Sequence, residues 1–367
     1  MIETEQIDLM FKVIGSPFNN DANILTEIPS SNAIDDLFDL SFKNRVGLLF
    51  LQRCIELGIP LSETGKRNYQ KLNQRREDTE DMLIKLTRTL DAVYEDQWVM
   101  FKTVKPFPST PNDTDWFPFN IKDHKWLCEH LLNSGFTFLE EAPLQTTLID
   151  ESGVGQAHSD KRGGVWYIDC YRAPGADYFK YLDTAKLKCH FTRIEIKGSW
   201  IPILKAPAEL IAICFHNVFP ERTYSIESFY LILHYLKEIN KEKKGIEDFL
   251  STVHENHTSQ AVYANLIITA SLHQHHFGYT PELINYLLAE FSHTDKEALN
   301  LEKNNFTLPY NFTNTCFWRC FFEKLKDPVS LKSLFIQGFH MLNPIFLWGV
   351  IKILKQRLSG QGIYEQH

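Results

Sequence analysis

The chain has no run of uncharged apolar residues approaching the ~18 that a membrane span requires. Its opening stretch, MIETEQIDLMFKVIGSPF, lacks the basic region and long apolar segment of a secretory signal. Positive charge is not in excess either, and a formal net charge of −8 provides no general field for a polyanion. The seven cysteines are odd in number and scattered, which argues against a disulfide framework and for buried thiols in a reducing compartment. No internal repeat and no low-complexity linker divides the sequence. Together these absences lead us to expect a soluble, cytoplasmic protein. In that setting the Asn-X-Thr patterns at Asn256, Asn305 and Asn311, frequent by chance, carry no meaning.

What is present is a globular composition, 44% hydrophobic, 13% aromatic and 23% charged over 367 residues. That length, divided by ~150 residues per domain, predicts two or three domains. Residues 1–95 read as a helical region. Apolar residues recur at helical spacing over 31–57, as one helix or two in series, and RNYQKLNQRREDTEDMLIKLTRTLDAVYED is a longer helix free of Gly and Pro. Residues 96–206 change character: WVMFKT, DTDWFPF, FTFLEE, TTLID, GVWYIDCY, CHFTRIEIKG and SWIPILK are short, aromatic or β-branched strands, interrupted by the helix IKDHKWLCEHLLNSG. Residues 207–367 return to helices, among them GIEDFLSTVHENHTSQAVYANLIITASLHQHHF (245–277) as one stretch, ending in PIFLWGVIKILKQRL, with Ser225 an N-cap and Pro281 suited to a first turn. The expected fold class is α+β: a small mixed-sheet core flanked by N- and C-terminal α-helical domains, packed into one body.

The chemistry concentrates in FKTVKPFPSTPNDTDWFPF. Alternate residues of a strand point the same way, so Asp113 and Asp115 share a face of an otherwise aromatic strand and repel each other. A cation between them would relieve that cost. Hard divalent cations take carboxylate oxygens and share their coordination with substrate phosphates, and the loop just before the strand supplies Lys102, Thr103 and Lys105 as donors. A third carboxylate is expected from another strand. Asp169, a lone acid in the apolar GVWYIDCY, is the best candidate, because an unpaired charge is costly to bury there.

This constellation resembles the DNA polymerase beta-type nucleotidyltransferase superfamily. Its signature is a hydrophobic residue, Gly, then Gly or Ser, a gap of roughly nine to thirteen residues, Asp-h-Asp or Asp-h-Glu, and a third acid on a later strand. Here Thr103 stands at the Gly/Ser position, nine residues before Asp113, and Lys102 stands where the superfamily has its first Gly. A Lys there is similar to one group of these enzymes, in which a Leu/Phe-Lys-Gly/Thr stretch precedes the DxD strand. YIDCYRAPGADYFKYLD, PAELIAICFHNVFPERTYSIESFYLIL and HMLNPIFLWGVIKILKQR also look like segments of that group, so the resemblance runs over most of the chain from about residue 34.

The resemblance implies a nucleotidyltransferase core and transfer of a nucleoside monophosphate from a nucleoside triphosphate, ATP among them, to an acceptor hydroxyl with release of pyrophosphate. It implies Mg²⁺ or Mn²⁺ held by Asp113, Asp115 and Asp169, and triphosphate contacts from Lys102, Thr103 and Lys105. A small molecule, peptide or protein is favoured as acceptor over long nucleic acid. His216 and Arg222 would line the acceptor side. Trp116 and Pro118 replace small aliphatics of the DxD strand and would alter the pocket floor. The competing class is a catalytically degenerate nucleotide-binding or scaffold protein in which those two residues spoil the pocket, and a phosphatase-like DxD enzyme is a further one.

Plainer readings stand beside these. Most D-x-D pairs are solvated turn acids, Asp169 can pair with Arg172, and Lys102 can be an ordinary edge-strand lysine. Glu140, Glu141 and Glu195 are stand-ins if Asp169 points away. His254, His257, His273, His275 and His276 match no zinc spacing and are expected in packing or surface roles, and Cys316 and Cys320 as core thiols.

Overall fold

The computed structural model describes residues 2–19, 30–111, 113–150, 166–176, 179–291 and 308–340, with Leu342 and Trp348. Apart from Trp348, the helix expected at 344–358 lies outside the described residues, as does Asn305.

The chain begins with four helices, α1 (Ile2–Ile14), α2 (Ser31–Lys43), α3 (Gly47–Glu56) and α4 (Glu63–Tyr94). Ser30 and Ser62 cap α2 and α4, each hydroxyl accepting an otherwise orphaned N–H, from Ala33 and Gly65 respectively. The apolar pattern of 31–57 resolves into two helices because the chain reverses at Arg45, whose φ is +59°. Apolar spacing runs through such a break unnoticed, since Val46 and Leu48 beyond it are as buried as Ile34 before it.

The sheet strands are β1 (Trp98–Met100), β2 (Asp113–Pro118), β3 (Thr137–Ala142), β4 (Gln145–Asp150) and β5 (Trp166–Tyr171), then, after a short hairpin of β6 (Gly175–Ala176) and β7 (Phe179–Lys180), β8 (Phe191–Ile196) and β9 (Ser199–Leu204). Their order is β3-β4-β5-β2-β1-β9-β8. The sheet is mixed: β2 runs parallel to β5 and β1 to β9, and the other neighbours are antiparallel. One helix, α5 (His124–Asn133), links β2 to β3. A short helix, α6 (Thr184–Leu187), precedes β8, and after β9 the chain is mainly helical, with α7 (Ala206–His216), α8 (Ile226–Ile239), α9 (Lys243–Glu255) and α10 (Ser259–Phe277), of which α7, α8 and α10 form the part that faces the sheet and α1. The fold is thus α+β with helical flanks.

Strand alternation sorts side chains to two cores. Trp98, Met100, Trp116, Leu148, Trp166, Ile168, Cys170 and Ile201 pack under α4 and α5. Val99, Phe101, Phe117, Tyr171 and Leu204 join the larger cluster with residues of α1, α3, α7, α8 and α10, so apolar residues of all three sequence segments meet in one core. Two details correct the sequence reading. The stretch 245–277 is two helices, broken at Asn256–His257, with His257 at φ +50°. Pro281 sits one residue outside its helix, as the N-cap of Glu282–Glu290.

Candidate metal centre

The parallel pairing of β2 and β5 sets Asp115 opposite Asp169, with Asp113 two residues back on the same face. One carboxylate oxygen from each of Asp113, Asp115 and Asp169 lies within 4.8 Å of the others. Asp115 is buried and the other two are partly so. On the far side of β5, Thr147 faces Asp169 across the antiparallel ladder and donates its hydroxyl to Oδ1 at 2.7 Å. Arg172, the plainer partner for Asp169, turns instead to the Pro143 carbonyl at 3.1 Å and to Glu141.

The electrostatics of this cluster are those of crowded anions. Burial, opposed by Lys102 and reinforced by the Asp113 and Asp169 charges, lifts the Asp115 carboxyl to about 7. Burial and the Asp113 charge lift Asp169 to about 6, against the hydrogen bonds from Thr147 and Gln145. Lys102 meets the cluster with its Nζ 2.9 Å from Asp115 Oδ2. Burial works against that ammonium, yet the neighbouring Asp115 raises its pKa above the ordinary lysine value. Three carboxylates against one ammonium leave a formal charge of −3 + 1 = −2. The donor set therefore fits a hard divalent cation: oxygen ligands, convergent, and short of positive charge.

The loop between β1 and β2 is pinned from both sides. Lys102 has φ +59°, a left-handed conformation that Gly adopts freely and a lysine adopts at a cost of about 1 kcal/mol. Its N–H is held by the carboxylate of Glu209, in the first turn of α7. The Thr103 hydroxyl accepts the Asp115 N–H at 2.8 Å, which ties the loop to the strand that carries Asp113 and Asp115. Tyr235 of α8 donates to the Val104 carbonyl at 3.2 Å. Lys105 forms a buried ion pair with Glu227, which Arg45 also approaches at 3.9 Å. Of the three loop residues singled out from sequence, Lys102 reaches the cluster, Thr103 positions Asp115, and Lys105 is directed to Glu227.

The sequence reading missed Glu209. It is 4% exposed, one of its oxygens holds Lys102, and the other, Oε2, has no hydrogen-bond partner among the described residues. Burial lifts its carboxyl to about 8 even though the Lys102 N–H and ammonium pull the other way. The signal was available: Glu209 is an acid heading the apolar run LIAICF, the same anomaly that exposed Asp169.

Beside Lys102 stands His216, its Nε2 3.3 Å from Glu221 and its Nδ1 3.5 Å from the Tyr181 hydroxyl. Burial, aided by the Lys102 charge, lowers the imidazole pKa, and His216 and its other charged neighbours help hold Glu221 ionised at about 2 despite burial. Arg222 points elsewhere, to Asn314 and over the Phe317 ring at 5.1 Å. Glu140 and Glu141 are exposed on edge strand β3, and Glu195 is exposed on β8 at the opposite edge. Since Asp169 joins the cluster, none of the three is needed as a substitute ligand. His273 is buried between Ser16 and the Tyr279 carbonyl, both at 2.7 Å, and His276 stacks on Phe11 at 4.0 Å. Cys316 and Cys320 are core thiols.

Trp116 and Pro118 require a correction. Strand alternation sends Trp116 to the opposite face from the aspartates, where it is fully buried against Trp98 at 5.8 Å. Thr114 on that same face accepts the Trp166 indole N–H at 2.8 Å. Pro118 shares the Trp116 face and pairs with Trp98. Neither forms the floor of a pocket on the carboxylate side, which removes the ground for a pocket spoiled by them.

Neither the protein-family models nor the curated proteins searched give a match to this chain. Among the described residues no helix is long and apolar enough to cross a membrane.

Proposed function

We propose that this chain is a divalent-metal-dependent nucleotidyltransferase of the DNA polymerase beta type, which moves a nucleoside monophosphate from a nucleoside triphosphate to an acceptor hydroxyl. The observation that carries the reading is the convergence of Asp113, Asp115 and Asp169 within 4.8 Å on one face of two parallel neighbouring strands. Solvated turn acids do not account for this, because Asp115 is 6% exposed and its backbone N–H is bonded to the preceding loop.

Mg²⁺ or Mn²⁺ bound there would activate the acceptor hydroxyl and neutralise charge on the leaving pyrophosphate. Asp113 and Asp115 would hold the cations. Asp169, oriented by Thr147, would complete the cation's ligand set and take the hydroxyl proton. The acceptor oxygen then bonds to the α-phosphorus, the bond from that phosphorus to the bridging oxygen breaks, and pyrophosphate leaves with the electron pair. Lys102 contacts the triphosphate as a point charge. His216 and its neighbour Glu221, both partly exposed, would line the acceptor side. That surface and the net charge of −8 favour a small molecule, peptide or protein acceptor over long nucleic acid, in the cytoplasm.

The test is incubation with each of the four common nucleoside triphosphates and Mg²⁺ or Mn²⁺, in the presence of extract, followed by pyrophosphate detection and intact mass of the protein and of small acceptors. We expect one nucleotide added to an acceptor and loss of the signal in Asp113→Asn and Asp115→Asn. Activity surviving the double substitution would overturn the proposal.

A further inference from the structure

Lys102 sits where a bound divalent cation would compete with it. Its ammonium is 2.9 Å from Asp115 Oδ2, with side-chain exposures of 12% and 9%, so the two charges neutralise each other away from water. A divalent cation on the same carboxylate and an ammonium at that distance repel strongly in a buried setting. The ammonium is on a flexible four-carbon stem, whereas its backbone is fixed by Glu209 and by the left-handed turn. The rings of Phe101 and Tyr171, 4.8 and 5.4 Å from Nζ, flank the ammonium with aromatic faces that favour a cation. The side chain is therefore free to exchange partners while its anchor stays put.

We propose that Lys102 is a displaceable counter-cation of Asp115, which leaves that carboxylate for the triphosphate, so that metal and nucleotide bind cooperatively. The inference rests on the nucleotidyltransferase reading for the identity of the second anion. A metal binding alone must break the Lys102–Asp115 pair before the phosphate oxygens that would replace Asp115 have arrived. A triphosphate binding alone strips Asp115 of its partner and leaves three carboxylates facing one another. Bound together, the two exchange partners without loss: the carboxylates receive the metal and Lys102 receives phosphate oxygens. By linkage, each ligand then tightens the other to the same degree. The Lys102 charge thus couples the two ligands without setting an order between them.

The experiment measures Mn²⁺ binding to the full chain, stripped with EDTA, by the electron paramagnetic resonance of free Mn²⁺, in wild type, Lys102→Met and Lys102→Arg. We expect Lys102→Met to bind Mn²⁺ about tenfold tighter than wild type, within the range of ordinary coupling between linked sites. Lys102→Arg, which keeps the charge, is expected to bind as wild type does. Thermal unfolding with Mn²⁺, with inorganic triphosphate and with both then reads the coupling: in wild type the shift with both exceeds the sum of the separate shifts, and in Lys102→Met the excess disappears. If Lys102→Met does not fold, Lys102→Gly takes its place, since the positive φ suits glycine. Mn²⁺ binding that is equal or weaker in the charge-free variant, while still abolished by Asp113→Asn, overturns the counter-cation and leaves the metal site standing. Absence of Mn²⁺ binding in every variant overturns both.

Discussion

Replacing Asp169 with asparagine isolates the cost of crowding three carboxylates on one sheet face. Burial and the Asp113 charge raise the Asp169 carboxyl from 3.8 to about 6. A group whose pKa is higher in the folded chain than in the unfolded one binds its proton more tightly when folded. Its contribution to stability is intact below about pH 4 and is lost as pH rises through about 6. A rise of that size corresponds to about 3 kcal/mol, and the partial exposure of Asp169 reduces this to about 2 kcal/mol. The substituted amide has no charge to lose, and its oxygen can still accept the Thr147 hydroxyl, so the local hydrogen bond survives. With an unfolding entropy of ~2.1 cal/mol/K per residue over 367 residues, about 2 kcal/mol moves Tm by about 3 °C. In EDTA, Asp169→Asn should therefore melt about 3 °C above wild type at pH 8 and level with it near pH 4, as followed by circular dichroism across that range. In millimolar Mn²⁺ the order should reverse, because wild type alone gains the full ligand set. A variant less stable than wild type at pH 8 in EDTA, or a difference that does not change with pH, would refute the claim that these carboxylates repel in the fold.

Two further substitutions separate holding the loop from contacting substrate. Glu209→Gln removes a carboxyl that burial lifts to about 8, so wild type loses stability relative to the variant as pH rises from about 5 through 8. Allowing for an unmet amide donor in the variant, a gain of about 2 kcal/mol at pH 9 that vanishes near pH 5 is expected in thermal unfolding. Lys105→Met leaves the buried Glu227 to the more distant Arg45 at 3.9 Å, and breaking a buried pair costs about 3 kcal/mol. Its Tm should fall by about 4 °C with Mn²⁺ affinity and the KM for nucleoside triphosphate unchanged within about twofold; a KM raised with no loss of Tm would return Lys105 to the triphosphate.

The fold was legible where one local rule decides it. Alternation in DTDWFPF and GVWYIDCY identified strands, because a side chain's face follows from its position alone, and the same rule placed Asp113 and Asp115 on one face, whereas Asp169 stood out by the cost of burying a lone acid. Alternation also predicts that Trp116 and Asp115, adjacent in sequence, must point apart, a consequence the comparison with small aliphatics at that position obscured. Breaks inside helical patterns were not legible: Arg45 and His257 turn the chain with left-handed backbones at non-glycine residues, and nothing in local spacing distinguishes them from their helical neighbours. Such conformations persist because tertiary packing on both sides outweighs their cost.

The loop before β2 shows what a single sequence hides in a functional site. Lys102, Thr103 and Lys105 look equivalent, three donors within four residues, and each is decided by a partner more than ten residues distant. Glu209, 107 residues away, fixes the Lys102 backbone. Glu227, 122 residues away, draws Lys105 out of the candidate phosphate set. Thr103 is taken by the strand it precedes. The acids that make these choices belong to α7 and α8, so the C-terminal helices set the geometry of a loop that the sheet carries. Because Glu209 holds only the Lys102 backbone, the ammonium keeps its choice between Asp115 and an incoming anion. A glycine at this position would satisfy the same turn without strain, but it would offer Asp115 no charge. The strain of a left-handed lysine is about 1 kcal/mol, far less than leaving a buried aspartate with two anionic neighbours and no cation, and that inequality is the physical reason for a lysine in a glycine's place.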